Sequence, residues 1–171
     1  MKQNRIGWRR LLALLLAVCL LGGLTANVFA FDNVVASGTC GAEGDGSNLR
    51  WSMTADGVLT ITGSGAMKDY FSMYDVPWNL TPYTDFFLKT VLLDDRITNI
   101  GSYAFYTARF GSKLTLPKSL VSIGQSAFRN CEFTGELILP DGLKEIDENA
   151  FDRSDLTGGL KLSKSLASIG D

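Results

Sequence analysis

The chain contains no histidine, which removes the commonest general base and the commonest metal ligand from its chemistry. Cysteine is scarce: Cys19, Cys40 and Cys131 include no CxxC pair, so neither a zinc ribbon nor a dithiol redox centre is encoded. Basic charge is short too. Beyond Ala30 there are twelve Lys and Arg against eighteen Asp and Glu, a net charge of −6. Nucleic acid and anionic membrane surfaces attract basic patches, so neither is an expected partner. Among the remaining catalytic devices only a pair of carboxylates could serve, and nothing places two acids across a cleft. No enzyme is therefore expected, and no catalytic, cofactor-binding or metal-binding residue and no cofactor is assigned.

What is present begins with an export signal. Lys2, Arg5, Arg9 and Arg10 form a basic stretch with no acid, and an apolar run from Leu11 follows. The run closes on Val28-Phe29-Ala30, with small residues at the −3 and −1 places that signal peptidase favours. Residues 1–30 read as a signal peptide cleaved before Phe31, although the run is also long enough, at about 20 residues, to span a bilayer uncleaved. Val18 stands where a lipoprotein signal needs a smaller residue, and Arg9-Arg10 lacks the flanks of a twin-arginine signal.

The second half of the chain repeats itself every 23 residues, from Val91, Leu114 and Leu137, with a shorter copy from Leu160. Ile100, Ile123, Ile146 and Ile169 share one column, and Phe105, Phe128 and Phe151 share another. A fixed period of this size means stacked coils, each burying its apolar face against its neighbours. Each coil opens on an alternating triplet, such as Leu114-Thr115-Leu116, whose outer residues point inward. Pro117 and Pro140 then end strand pairing, Ile123 and Ile146 drop into the core, and Ser-Ala-Phe or Asn-Ala-Phe is expected as a short helical stretch. The fold class is an α/β solenoid. Three full coils and a truncated fourth leave Leu160, Leu162, Leu166 and Ile169 on an open edge. Either the chain continues past Asp171, or a partner or second copy meets that edge.

With the register set out, LxLPxxLxxIGxxAFxNC from Leu114 to Cys131, echoed from Leu137, resembles the BspA-like leucine-rich repeat proteins of bacterial surfaces. The stretch Ser37 to Met67 and the Pro77-Trp78 pair are similar to the segment that often precedes such repeats. The resemblance implies a right-handed leucine-rich repeat coil in a non-enzymatic protein, secreted or held at the bacterial cell surface. It implies adhesion to host proteins or other cells. Asp94-Asp95 departs from the Pro or Ser of the later coils.

Upstream, Leu49, Trp51 and Met53 alternate, Asp56-Gly57 signals a two-residue hairpin, and Leu59 and Ile61 alternate on the return. The expected organisation is a signal peptide at 1–30, a β-hairpin cap at 31–67, an aromatic connector at 68–90 and the repeat array at 91–171. In the connector, Tyr70, Phe71, Tyr74, Trp78, Tyr83, Phe86 and Phe87 crowd together, either as a plug for the array's end or as a platform.

Binding is expected on two surfaces. The middle strand positions Leu92, Thr115, Ile138 and Lys161 should line the exposed face, where repeat proteins bind, and Leu92 and Ile138 are apolar where solvent is expected. Tyr74, Trp78 and Tyr83 are the connector's candidates, and they carry the alternative reading of a carbohydrate- or wall-binding module. A protein is the first partner expected, with a glycan as the alternative. Glu43 to Asn48 hints at a calcium loop but has Asn48 and Thr54 where an EF-hand needs Gly and Glu, and is read as a polar turn. Asp141, Glu145, Asp147, Glu148 and Asp152 are read as a solvated face, and the Asn79-Leu80-Thr81 sequon is discounted. Cys40 and Cys131 are expected to stay unpaired, with Cys131 in a small, buried column.

Overall fold

Residues 33–80 and 86–171 are described by the computed structural model, and every regular element among them is a β-strand. The alternation of Leu49, Trp51 and Met53 builds β2 (Leu49–Thr54), which turns at Asp56-Gly57 into the antiparallel β3 (Val58–Gly63). Gly57 sits at φ 84°, a conformation that a side chain would strain, so the hairpin falls where the Asp-Gly pair places it. An unforeseen strand, β1 (Val34–Thr39), pairs antiparallel with β2. The hairpin also continues into the array, because β3 runs parallel to β6 (Thr90–Leu93).

The repeats then stack through three sets of parallel pairings. The first joins the leucine triplets: β10 (Leu137–Ile138) pairs with β12 (Leu160–Lys161), while Leu114 to Leu116 are not paired as a strand. The second is the longest and was not anticipated. β4 (Gly65–Ala66), β7 (Ile97–Ile100), β9 (Ser122–Ile123), β11 (Glu145–Ile146) and β13 (Ser168–Ile169) form one five-stranded parallel sheet along the isoleucine column. The isoleucine therefore does more than drop into the core: it is the inward residue of a strand, and its C=O accepts an N–H of the next coil, as Ile100 O does from Gly124, Ile123 O from Asp147 and Ile146 O from Gly170. The third set pairs β5 (Phe86–Leu88) with β8 (Ala108–Phe110) and continues as single bridges from Arg109 to Glu132 and from Glu132 to Asp155.

The short helical stretch expected at Ser-Ala-Phe and Asn-Ala-Phe is absent among the described residues, so the α/β class is corrected to strands joined by turns. Tyr103, Ser126 and Asn149 share one column, Thr107, Asn130 and Arg153 another, and all six lie at positive φ between 53° and 61°. A right-handed helix excludes that conformation. The backbone bonding shows why it is adopted. Alternate N–H groups leave the coil: Tyr103, Phe105 and Thr107 donate to the carbonyls of Gln125, Ala127 and Arg129 in the next repeat. Those between them close tight turns within it, Ala104 to Gly101, Tyr106 to Tyr103 and Ala108 to Phe105. The same pattern recurs from Ser126 to Cys131. Every second amide thus binds the neighbouring coil, and a helix would have kept them all for itself.

The core follows the columns. Ile97, Ile100, Ala104, Phe105, Leu120, Ile123, Ala127 and Phe128 are fully buried. Phe105, Phe128 and Phe151 stack face to face with centroids 5.3 Å apart at each step. Gly158 is a contact point between coils: a Cβ there would lie 2.1 Å from the Gly135 carbonyl carbon. The residues before the array follow the same plan with an insertion. Leu59 faces Val91 and Gly65 faces Ile97, 32 residues on, but Phe86 faces Ala108 only 22 on, so about ten extra residues are taken up in between.

Candidate functional site

The insertion holds the aromatic cluster. Tyr70 donates its N–H to Ser102 O, and the chain then loops out through Phe71 and Tyr74 before Trp78 returns to the core. Trp78 is 0% exposed and donates Nε1–H to Ala104 O at 3.0 Å. Its ring meets Trp51 and Tyr70 edge-on, at 6.0 and 5.7 Å, and lies 5.9 Å from Phe105, the first ring of the phenylalanine stack. Trp78 is therefore corrected from a contact residue to the plug of the stack. The Pro77-Trp78 turn, not solvent, sets its place. Tyr74 is 65% exposed and stays at the surface, and Tyr83 lies outside the described residues.

The row of middle strand positions is formed as the alternation requires. Leu114, Leu116, Leu137 and Leu139 are buried, while Leu92, Thr115, Ile138 and Lys161 are exposed. Register aligns Thr60 with Leu92 and Ile138 with Lys161, so the row runs from the hairpin across the array. Leu92 is 52% and Ile138 39% exposed. Charges beside this row are tied between neighbouring coils: Lys118 to Asp95 at 2.6 Å and Lys164 to Asp141 at 3.3 Å, each a pair 23 residues apart. Hydrogen bonds from the Lys118 side chain and N–H hold the Asp95 carboxyl below the usual carboxylate range. Exposed pairs of this kind contribute little stability, but they neutralise the ground around Leu92 and Ile138. The result is a stiff surface with two apolar anchors, suited to contact by shape and burial.

Other sequence candidates resolve as structure. The Glu43 to Asn48 loop is a turn: Asn48 Nδ2 donates to the carbonyls of Ser64 and Ala66 at 3.1 Å, and Asp45 Oδ1 accepts the Ser47 N–H at 2.9 Å. Among the described residues no cluster of three or more acids or cysteines is arranged to hold a metal. Asn79 Nδ2 donates to Met73 O, so the sequon amide is engaged in the insertion. Cys40 and Cys131 are free and buried, and burial raises both thiols, Cys40 to about 12, away from nucleophilic use. Cys131 Sγ–H donates to Phe105 O across the coil.

Asp94 was read only as a departure from the proline column, and its role went unseen. Its carboxylate accepts Arg96 Nη2 at 2.7 Å, Arg96 Nε at 2.9 Å and the Gly63 N–H at 3.3 Å. It thereby fastens the cap hairpin to the first coil, where Pro117 and Pro140 stand in later coils. The Arg96 guanidinium beside it holds this carboxyl well below the ordinary carboxylate range.

Stacked parallel repeats with leucine triplets and isoleucine and phenylalanine columns define a leucine-rich repeat protein. The family model for the BspA type leucine-rich repeat region (6 copies) matches residues 83–171. The chain belongs to that family. A solved leucine-rich repeat protein from Eubacterium ventriosum ATCC 27560 is 28% identical, with a TM-score of 0.51 over 71% of this chain. The match spans 31% of that protein's own length. A search of curated proteins found no match.

Proposed function

We propose that the protein is an exported, non-enzymatic scaffold, a right-handed solenoid at the bacterial surface or in the medium, whose exposed row binds a protein partner. The observation that carries this reading is the pair of apolar side chains, Leu92 and Ile138, standing out from a face beside which Asp95 and Asp141 are paired with Lys118 and Lys164. Exposed apolar residues on a rigid frame cost ordering entropy only once, at folding, and gain burial on contact. Thr115 lies between the two in the row and Lys161 follows Ile138, and both supply polar contacts. The carbohydrate alternative loses its Trp78 ring to burial and rests on the exposed Tyr74.

The test uses surface plasmon resonance against a panel of purified extracellular-matrix proteins. Leu92→Asp with Ile138→Asp should weaken any binding by more than tenfold while leaving the melting temperature nearly unchanged, since both side chains are exposed. Binding that survives both substitutions and is lost with Tyr74→Ala would move the site to the insertion. Intact mass of the protein recovered from the medium tests export, with a chain starting at Phe31 expected.

A further inference from the structure

Tyr103 and Tyr106 lie on the segment that joins β7 to β8, and neither belongs to the exposed row or to the plug. Both are half-buried, and their rings are 5.7 Å apart at 34°. Among the described residues neither hydroxyl has a hydrogen-bond partner, and neither is sealed from water. The two side chains are unlike the rest of their columns. Tyr103 holds φ 59°, where the later coils have Ser126 at 53° and Asn149 at 54°. A bulky residue is rare in that region and asparagine is not, so the backbone alone would be better served by Asn. Tyr106 gives way to Arg129 and then to Asp152 in the next two coils. Arg129 Nε lies 3.0 Å from Asp152 Oδ2 but off the line of a hydrogen bond, and that N–H has no other partner. The first coil thus carries a pair of rings at a cost in backbone strain, and strain that the fold does not need is a pointer to function.

We propose that Tyr103, Tyr106, Arg129 and Asp152 form a binding site for a neutral oligosaccharide. A pyranose presents C–H groups on its face and hydroxyls at its rim, so it needs a ring to lie on and planar polar side chains beside it. The two tyrosines supply the rings at little cost in side-chain ordering. The Arg129 N–H groups, the Asp152 carboxylate and the free phenol hydroxyls supply donors and acceptors for the rim, and the exposed Asn130 adds an amide. Other flat ligands fit less well. A quaternary ammonium takes aromatic faces without a guanidinium next to them. A nucleotide or an acidic sugar would meet an arginine already neutralised by Asp152, on a chain with more acids than bases. The site shares no residue with the row of Leu92, Thr115, Ile138 and Lys161, nor with Tyr74, so a glycan and a protein partner could be held at the same time.

Titration calorimetry of the exported protein with cellohexaose, maltohexaose and lacto-N-tetraose tests this, with sialyllactose as the acidic counterpart. The repeat itself supplies the variants. Tyr103→Asn with Tyr106→Arg puts into the first coil the residues that Asn149 and Arg129 already bring to these columns. The melting temperature should match or exceed that of the parent, because asparagine relieves the strain at position 103, while affinity for the neutral oligosaccharide falls at least tenfold. A merely structural role for the tyrosines would not separate the two readouts. Tyr106→Arg alone serves if the double variant does not fold. Leu92→Asp with Ile138→Asp should leave the affinity unchanged. The proposal is overturned if none of the three neutral oligosaccharides binds, or if sialyllactose binds and they do not. Affinity that withstands the tyrosine substitutions overturns it too, as does affinity lost with Leu92 and Ile138.

Discussion

The first and last rings of the phenylalanine stack have different surroundings among the described residues. At the N-terminal end Trp78 lies against Phe105, anchored by its indole hydrogen bond and enclosed by Trp51 and Tyr70. At the other end Phe151 is only half-buried, and Leu160, Leu162 and Ile169 are exposed, Ile169 at 62%. A concavity of about 370 Å³ lies there, lined by Leu139, Ile146, Phe151, Leu162 and Ile169. One repeat is therefore worth different amounts at different depths. Stability in such a stack is a sum of unit and neighbour terms, so identical columns should respond to mutation in proportion to the neighbours they have.

The largest effect should come from the plug. Trp78→Ala removes a fully buried ring from the head of the stack and should destabilise by about 3–5 kcal/mol in denaturant unfolding. Trp78→Phe keeps a ring but leaves Ala104 O without its donor, and should lose about 1–3 kcal/mol. If both variants unfold like the parent, the head of the array is not held by this residue.

Within the array the comparison sharpens to one column. Phe128 stacks between Phe105 and Phe151 and is fully buried, so Phe128→Ala should cost about 3–5 kcal/mol. Phe151→Ala should cost clearly less, because water already reaches that ring. Equal losses would mean that the far end is as well covered as the middle. Amide exchange should show the same slope, with slow exchange at Phe105 and Phe128 and faster exchange at Ile169.

How much of this could be read beforehand divides along the same line. The columns were readable because each is a repeated apolar residue, and repetition cancels local noise: the buried Ile, Ala and Phe positions and the outward Leu92, Thr115, Ile138 and Lys161 all follow from period alone. The backbone between them was not. Ser-Ala-Phe has the composition of a helix, and nothing in its letters says that Ser126 and Asn130 take left-handed φ so that alternate amides can bind the next coil. That choice is made by the neighbour, not by propensity. In the unique part, the hairpin was legible through Asp56-Gly57, but Trp78 was ambiguous because a single aromatic without a column has nothing to be compared with. β1 escaped notice for the same reason: Val-Val-Ala-Ser-Gly-Thr is too short and too exposed to show an alternation.

The left-handed columns yield a smaller, opposite effect. Thr107 holds φ 61° with a β-branched side chain, where the same column has Asn130 at 54°. Asparagine tolerates this region and threonine does not. Thr107→Asn should stabilise the protein by about 1 kcal/mol, while Asn130→Thr should do the reverse. A loss on Thr107→Asn would show that the threonine methyl or hydroxyl makes a contact worth more than its strain.

The smallest effect separates the cap's attachment from the array's own pairing. Asp94 has its folded-state pKa lowered, first by the Arg96 guanidinium and then by backbone N–H groups that include Gly63. A lowered carboxyl pKa means that the ionised form favours the folded state. Its contribution is in place above the ordinary aspartate value of about 3.9 and is lost as pH falls below it. Asp94→Asn should therefore lower the melting temperature slightly at pH 7, and the gap from the parent should narrow as the pH is taken down toward 3. Amide exchange at Gly63 and in β3 should quicken in that variant, while exchange at Ile123 and Phe128 holds, because no other coil depends on this carboxylate to receive its neighbour. A uniform loss across all coils would show that the hairpin and the array melt as one unit, and that the proline column's substitution by Asp94 fastens the whole stack and not only its first seam.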